Sequence, residues 1–210
     1  MKPDVLKQFK GALKEYRNAM ERTADFAPSR HNLGNLYVNL GQIKTAVGHY
    51  QKAIAIDEQF YPAKVNLVML YNQLGKNEQA ERLLREVVER NPEFYDVKYS
   101  LGLLLAEQRR FEETVVYLKD ASTGMPDRSR IHYNLGLLQQ RLRNDVDAET
   151  ALQTALDLEP TNPDYLYAMA VFYLESGRLD NARQTAEQLH ALYPDLPAGK
   201  QLLKVIDQRK

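Results

Sequence analysis

The 210-residue chain contains no cysteine. Disulfides, thiolate nucleophiles, haem attachment through CxxCH and cysteine-ligated zinc are thereby excluded. Cytoplasm and periplasm are equally compatible with that absence, and cytoplasm is the default. There is no excess of charge: lysine plus arginine number 28 and aspartate plus glutamate 28. A nucleic-acid binder gathers a basic surplus on one face, so no nucleic-acid partner is expected. No apolar run approaches the ~18 residues that span a bilayer, and no secretory leader opens the sequence as given. Membrane insertion is therefore not expected. The four histidines, His31, His49, His132 and His190, form neither HExxH nor HxxxH. No glycine-rich phosphate loop and no serine nucleophile elbow occur. Carboxylate pairs such as Glu112–Glu113 fall near expected helix starts, where they complement the macrodipole. No enzyme activity, metal or cofactor is expected.

What is present is a period. Pro92, Pro126, Pro160 and Pro194 recur every 34 residues, as do Pro28 with Pro62 and Pro163 with Pro197; only Pro3 stands apart. Proline lacks the N–H a helix interior needs and clashes with the preceding turn, so a breaker at fixed interval marks the end of a repeated element. With Ala27 as position 1, the repeats are 27–60, 61–94, 95–128, 129–162 and 163–196. Position 7 is Leu33, Leu67, Leu101, Leu135 and Met169; position 8 is Gly34, Val68, Gly102, Gly136 and Ala170. Position 20 is Ala46, Ala80, Thr114, Ala148 and Ala182, position 24 Tyr50, Leu84, Leu118, Leu152 and Ala186, and position 27 Ala53, Val87, Ala121, Ala155 and Leu189. At 100° per residue, positions 4, 7, 8 and 11 share one face of a first (A) helix, and 20, 24 and 27 line a stripe on a second (B) helix.

These residues resemble the tetratricopeptide repeat, whose signature runs L-G-x2-Y, A-x3-F, then P. The stretches N-L-G-N-L-Y (32–37) and A-V-G-H-Y-Q-K-A (46–53) match it closely, and the resemblance covers nearly the whole chain. It implies an all-α solenoid of antiparallel helix hairpins wound as a right-handed superhelix. Residues 1–26 are expected to hold an N-terminal helix over 4–23, in phase with a B helix: a natural cap, or part of a longer array. Residues 197–210 are expected to form a C-terminal capping helix. Gly41, Gly75 and Gly177 at position 15 end the A helices. The third repeat has Arg109 and Arg110 there, and Thr114 for alanine, so looser packing is expected in it. Position 4, often tryptophan in the family, is Arg30, Lys64, Lys98, His132 and Leu166; the basic stems are expected to cover apolar surface with their tips in water.

In relatives, the A-helix face carrying positions 2, 5, 9, 12 and 13 lines a concave groove for an extended peptide. The resemblance therefore implies a protein–protein interaction or scaffolding module. On that face lie Asn32, Asn35, Asn66, Met69, Tyr99, Leu103, Arg130, Tyr133, Asn134, Leu137, Arg141, Tyr167 and Val171, the expected site for a protein or peptide partner. Its rim alternates in sign: Asp96 and Glu107, Arg130 and Arg141, Asp164 and Glu175. Members that grip an acidic chaperone tail place cations at set positions. This chain offers His31, Asn35 and Asn66, then Asp96 and Ser100, and an aspartate in place of a cation has the wrong sign. Two further readings stand beside this one. The strings F-Y-P-A-K-V-N-L-V-M-L-Y (60–71) and Y-S-L-G-L-L-L-A-E (99–107) are similar to arrays C-terminal to bacterial multihaem cytochromes, implying an assembly or tethering domain of a larger protein. The other is self-association into a homo-oligomer through exposed edges.

Overall fold

The computed structural model describes residues 26–209 together with Gly11, Lys14, Glu15, Asn18, Ala19 and Arg22. The N-terminal helix expected over 4–23 falls, apart from those six positions, outside the described residues. Among the described residues there are eleven assigned helices and no strand. In chain order they are α1 (Ala27–Asn39), α2 (Ile43–Ile56), α3 (Tyr61–Gln73), α4 (Asn77–Arg90), α5 (Tyr95–Glu107), α6 (Phe111–Gly124), α7 (Ser129–Arg141), α8 (Asp145–Leu158), α9 (Pro163–Glu175), α10 (Leu179–Leu192) and α11 (Pro197–Asp207). The A helices α1, α3, α5, α7, α9 and α11 begin at 27, 61, 95, 129, 163 and 197, and the B helices α2, α4, α6, α8 and α10 at 43, 77, 111, 145 and 179. Each A helix of a repeat packs on the B helix that follows it. No described helix is long and apolar enough to cross a membrane.

Each A helix of the five repeats ends in the same way. Gly41, Gly75, Arg109, Arg143 and Gly177, all at position 15, have φ between 62° and 74°. The N–H of Gly41 reaches Val38 O at 2.9 Å and that of Gln42 reaches Tyr37 O at 2.8 Å, the paired bonds of a Schellman cap. The same pair recurs at 75–76, 109–110, 143–144 and 177–178. Proline opens α1, α3, α9 and α11 within the first two positions, where its missing donor has no partner to lose.

The chain divides into two compact bodies, residues 1–92 and 93–210. In the first body Leu33, Ala46, Tyr50, Ala53, Leu67, Ala80, Leu84 and Val87 are buried between α1, α2, α3 and α4. The ring of Tyr50 lies where a Cβ on Gly34 would come within 2.3 Å of it, so this position 8 must be glycine. In the second body a continuous core of Ala148, Leu152, Leu166, Met169, Phe172, Ala182 and Leu189 joins α8, α9 and α10, and Leu202 and Ile206 of α11 complete it. A smaller cluster of Leu118, Leu135, Leu138 and Ala151 fills the space between α6, α7 and α8. Thr114, the odd residue at position 20, is fully buried and donates to Arg110 O at 2.9 Å.

Position 4 departs from expectation. Lys64 is 0% exposed, and its Nζ meets Glu86 Oε1 of α4 at 2.5 Å. Lys98 is buried too, with Nζ 2.5 Å from Asp120 Oδ2 of α6. The ammonium groups also lie 5.9 Å from the Tyr61 ring and 5.1 Å from the Tyr95 ring, respectively. The lysine tips are thus buried and paired with partly exposed carboxylates rather than solvated. A carboxylate at position 26 of the same repeat, which the apolar pattern does not register, is the reason.

Candidate functional site

Because positions 7 and 8 of each A helix are held against its B helix, positions 5 and 9 are turned away from that seam. The structure leaves them open. In the first body, Asn32 and Met69 are exposed and Asn35 and Asn66 half-buried, Met69 at 65% exposure. The polar members form a chain of hydrogen bonds. Tyr50 Oη donates to Asn35 Oδ1 at 2.6 Å, Asn66 Nδ2 donates to the same oxygen at 2.9 Å, and Asn66 Nδ2 lies 2.9 Å from His31 Nε2. The His31 ring is also 5.7 Å from the Tyr50 ring and 5.5 Å from that of Phe60. Burial holds the His31 imidazole below its ordinary pKa, partly offset by a hydrogen bond with Asn32. Beside this chain lies a recess of about 210 Å³ lined by Asn35, Tyr50, Asn66, Met69 and Leu70, with Val38 and Asn39 at its edge.

In the second body the same rows carry Tyr99, Tyr133 and Tyr167 at position 5 and Leu103, Leu137 and Val171 at position 9. None of the six is buried: Tyr167 is 45% exposed, Leu103 and Leu137 are exposed, and the rest are half-buried. Tyr133 packs on Tyr165 with centroids 4.8 Å apart. Asn134 Nδ2 donates to Tyr99 Oη at 2.8 Å. Burial pushes the phenols of Tyr99 and Tyr133 up from their ordinary pKa. Arg130 is exposed and stands 5.5 Å from the Tyr133 centroid. Arg141, also exposed, lies 4.6 Å above the ring of Phe111. Arg141, Arg143, Leu137, Gln140 and Glu175 surround a second recess of about 300 Å³, where Gln140 Nε2 donates to Glu175 Oε2 at 2.9 Å.

The expected residues are therefore all exposed or half-buried. The asparagines at position 6 have a role the pattern alone did not reveal. Asn66 and Asn134 each reach the position-5 side chain of the preceding repeat, His31 and Tyr99, so they fix neighbouring repeats to one another. Sequence reasoning also missed Tyr50, buried at position 24 yet reaching the recess through its hydroxyl, and Arg128, whose guanidinium is 5.9 Å from the Tyr99 ring and pairs with Asp96. Arg128 closes one repeat and acts on its first helix, a contact visible only when the hairpin is closed. Among the described residues no group of three or more His, Cys, Asp or Glu could hold a metal ion. An open row of phenols, aliphatic side chains and amides, with arginines at its edge, is suited to binding.

An array of helix hairpins, each capped at position 15 and sealed at 7, 20, 24 and 27, defines the class. The tetratricopeptide repeat model matches residues 40–102 and 146–206, more than half of the sequence, and the chain belongs to that family. Among solved structures it is similar to YrrB, described as a tetratricopeptide protein with an unusual peptide-binding site, with a TM-score of 0.76 at 18% identity over 90% of this chain and 97% of that one. PilF of Pseudomonas aeruginosa gives 0.69 at 25% identity, covering 94% and 87%. MamA of Desulfovibrio magneticus RS-1 gives 0.70 at 18% identity, covering 80% and 93%. No curated protein matches the chain in sequence.

Proposed function

We propose that this chain is a non-catalytic protein-binding module that holds an extended segment of another polypeptide along the exposed A-helix rows. One observation carries the reading: positions 5 and 9 of the second body keep three tyrosines and three aliphatic residues at least partly in water. Positions 7 and 8 of the same helices are buried, so the strip is not continuous with the hairpin core. Soluble chains rarely leave such a contiguous apolar strip without a partner. The tyrosines supply contact area, and the alternating rim of Asp96, Arg130, Arg141, Asp164 and Glu175 selects which side chains of the ligand lie where. The peptide-binding site of YrrB, a protein of similar fold, is consistent with this reading.

The test compares the intact chain with one carrying Tyr99→Ser, Tyr133→Ser and Tyr167→Ser in a pull-down followed by measurement of affinity for the polypeptide recovered. Aromatic residues central to an interface are each worth about 2 kcal/mol or more, roughly 30-fold in affinity. The triple variant should keep its helical circular dichroism and lose the partner. An unchanged affinity in a folded triple variant overturns the reading.

A further inference from the structure

In the first body, His31, Asn66, Asn35 and Tyr50 are linked into a relay with a direction. An amide nitrogen can only donate, so with Asn66 Nδ2 at 2.9 Å from His31 Nε2 that ring nitrogen accepts, and the imidazole is neutral with its proton on Nδ1. The second N–H of Asn66 goes to Asn35 Oδ1, which also accepts from Tyr50 Oη. Both protons of Asn66 and the carbonyl oxygen of Asn35 are therefore engaged. Asn66 Oδ1 and Asn35 Nδ2 are the remaining ends, and both residues line the 210 Å³ recess.

We propose that His31 is a proton-operated selector that reverses this relay and with it the hydrogen-bond polarity of the recess. A protonated imidazole carries N–H on both nitrogens and can only donate. Asn66 must then turn its amide so that Oδ1 faces His31. That oxygen would confront Asn35 Oδ1, so Asn35 turns as well, its Nδ2 donating to Asn66 Oδ1 and to Tyr50 Oη, and the Tyr50 hydroxyl proton swings away. The proton added comes from solvent, and no bond other than hydrogen bonds is made or broken. The remaining ends become Asn66 Nδ2 and Asn35 Oδ1, so donor and acceptor exchange places between the two residues. A peptide group accommodated in one state meets two mismatches in the other.

Among the described residues, the groups around the ring come from three helices. From α2 the titratable neighbour is Tyr50; from the start of α3 come Phe60 and the neutral Asn66; on α1 itself Arg30 and Asn32 flank it. Burial lowers its basicity and the Asn32 hydrogen bond partly restores it.

The consequence for a ligand rests on the binding role proposed above, but the relay belongs to the free chain and is tested without one. The experiment is an NMR titration of the unliganded protein from pH 8 to pH 5. It follows the His31 ring and the side-chain amide signals of Asn35 and Asn66. Both amides should shift with the midpoint of His31, and His31→Gln should abolish that shift. Asn66→Asp presents an acceptor to the ring permanently, and an adjacent carboxylate favours the imidazolium, so the His31 midpoint should rise by about one pH unit or more. A His31 titration that leaves the Asn35 amide unmoved, or an unaltered midpoint in Asn66→Asp, overturns the relay. Either result leaves the tyrosine test of the second body untouched.

Discussion

Arg109 and Arg143 stand where the other three repeats carry glycine, with φ of 62° at both. A left-handed backbone costs a residue with a Cβ roughly 1–2 kcal/mol, whereas glycine forfeits about 0.5–1 kcal/mol through its freedom in the unfolded chain. Both arginines are exposed, so little packing opposes exchange. Arg109→Gly and Arg143→Gly should each raise stability by about 0.5–1 kcal/mol, read as a higher urea midpoint at constant slope. Lower stability in both variants would mean that the arginine side chains contribute more than the strain removes. At this scale the sequence was legible wherever a side chain announces its backbone: glycine at 41, 75 and 177 marks the cap. It was not legible at 109 and 143, because the Schellman bonds form whatever the residue is, and an arginine gives no sign of positive φ.

At the scale of the hairpin, the apolar stripes at positions 7, 20, 24 and 27 were readable because burial there is almost complete in every repeat. The position-4 lysines were not, since their partners Glu86 and Asp120 lie on the other helix and 22 residues away. Such pairs bring helix-to-helix specificity at a desolvation cost. Removing the carboxylate leaves a buried ammonium without its partner and is destabilising, whereas replacing the lysine with an apolar side chain of similar volume is often near neutral. Glu86→Ala should therefore be much more destabilising than Lys64→Met, and the double variant should recover most of the loss. Denaturant unfolding of the three proteins measures this. Equal effects of the two single changes would show that the pair contributes by Coulombic attraction instead. The same logic separates readable from unreadable parts of the candidate site. Tyr99, Tyr133 and Tyr167 follow from helical arithmetic, but the grip of Asn66 on His31 and of Asn134 on Tyr99 joins successive repeats and depends on how the hairpins stack.

At the scale of the molecule, a repeat array is held by neighbours only, so its stability is a sum of local terms and interfaces rather than one central core. In the second body the last interface is that of α11 with α10 and α9. Leu202 and Ile206 are buried there, and Gly199 approaches so closely that a Cβ would lie 2.9 Å from the backbone N of His190. Ending the chain before Pro197 removes this cover and exposes Met169, Ala186 and Leu189 of the fifth repeat. Nearest-neighbour coupling then predicts a graded response. Amide exchange should accelerate strongly in α9 and α10, weakly in α7 and α8, and hardly at all in α5 and α6. A uniform acceleration through α5 would show a body that opens as one cooperative block, and substitutions at its far end would then alter the tyrosine row through stability alone. A graded pattern instead means that each station on the row, from Tyr99 to Tyr167, can be weakened separately, so a ligand's contacts can be mapped repeat by repeat.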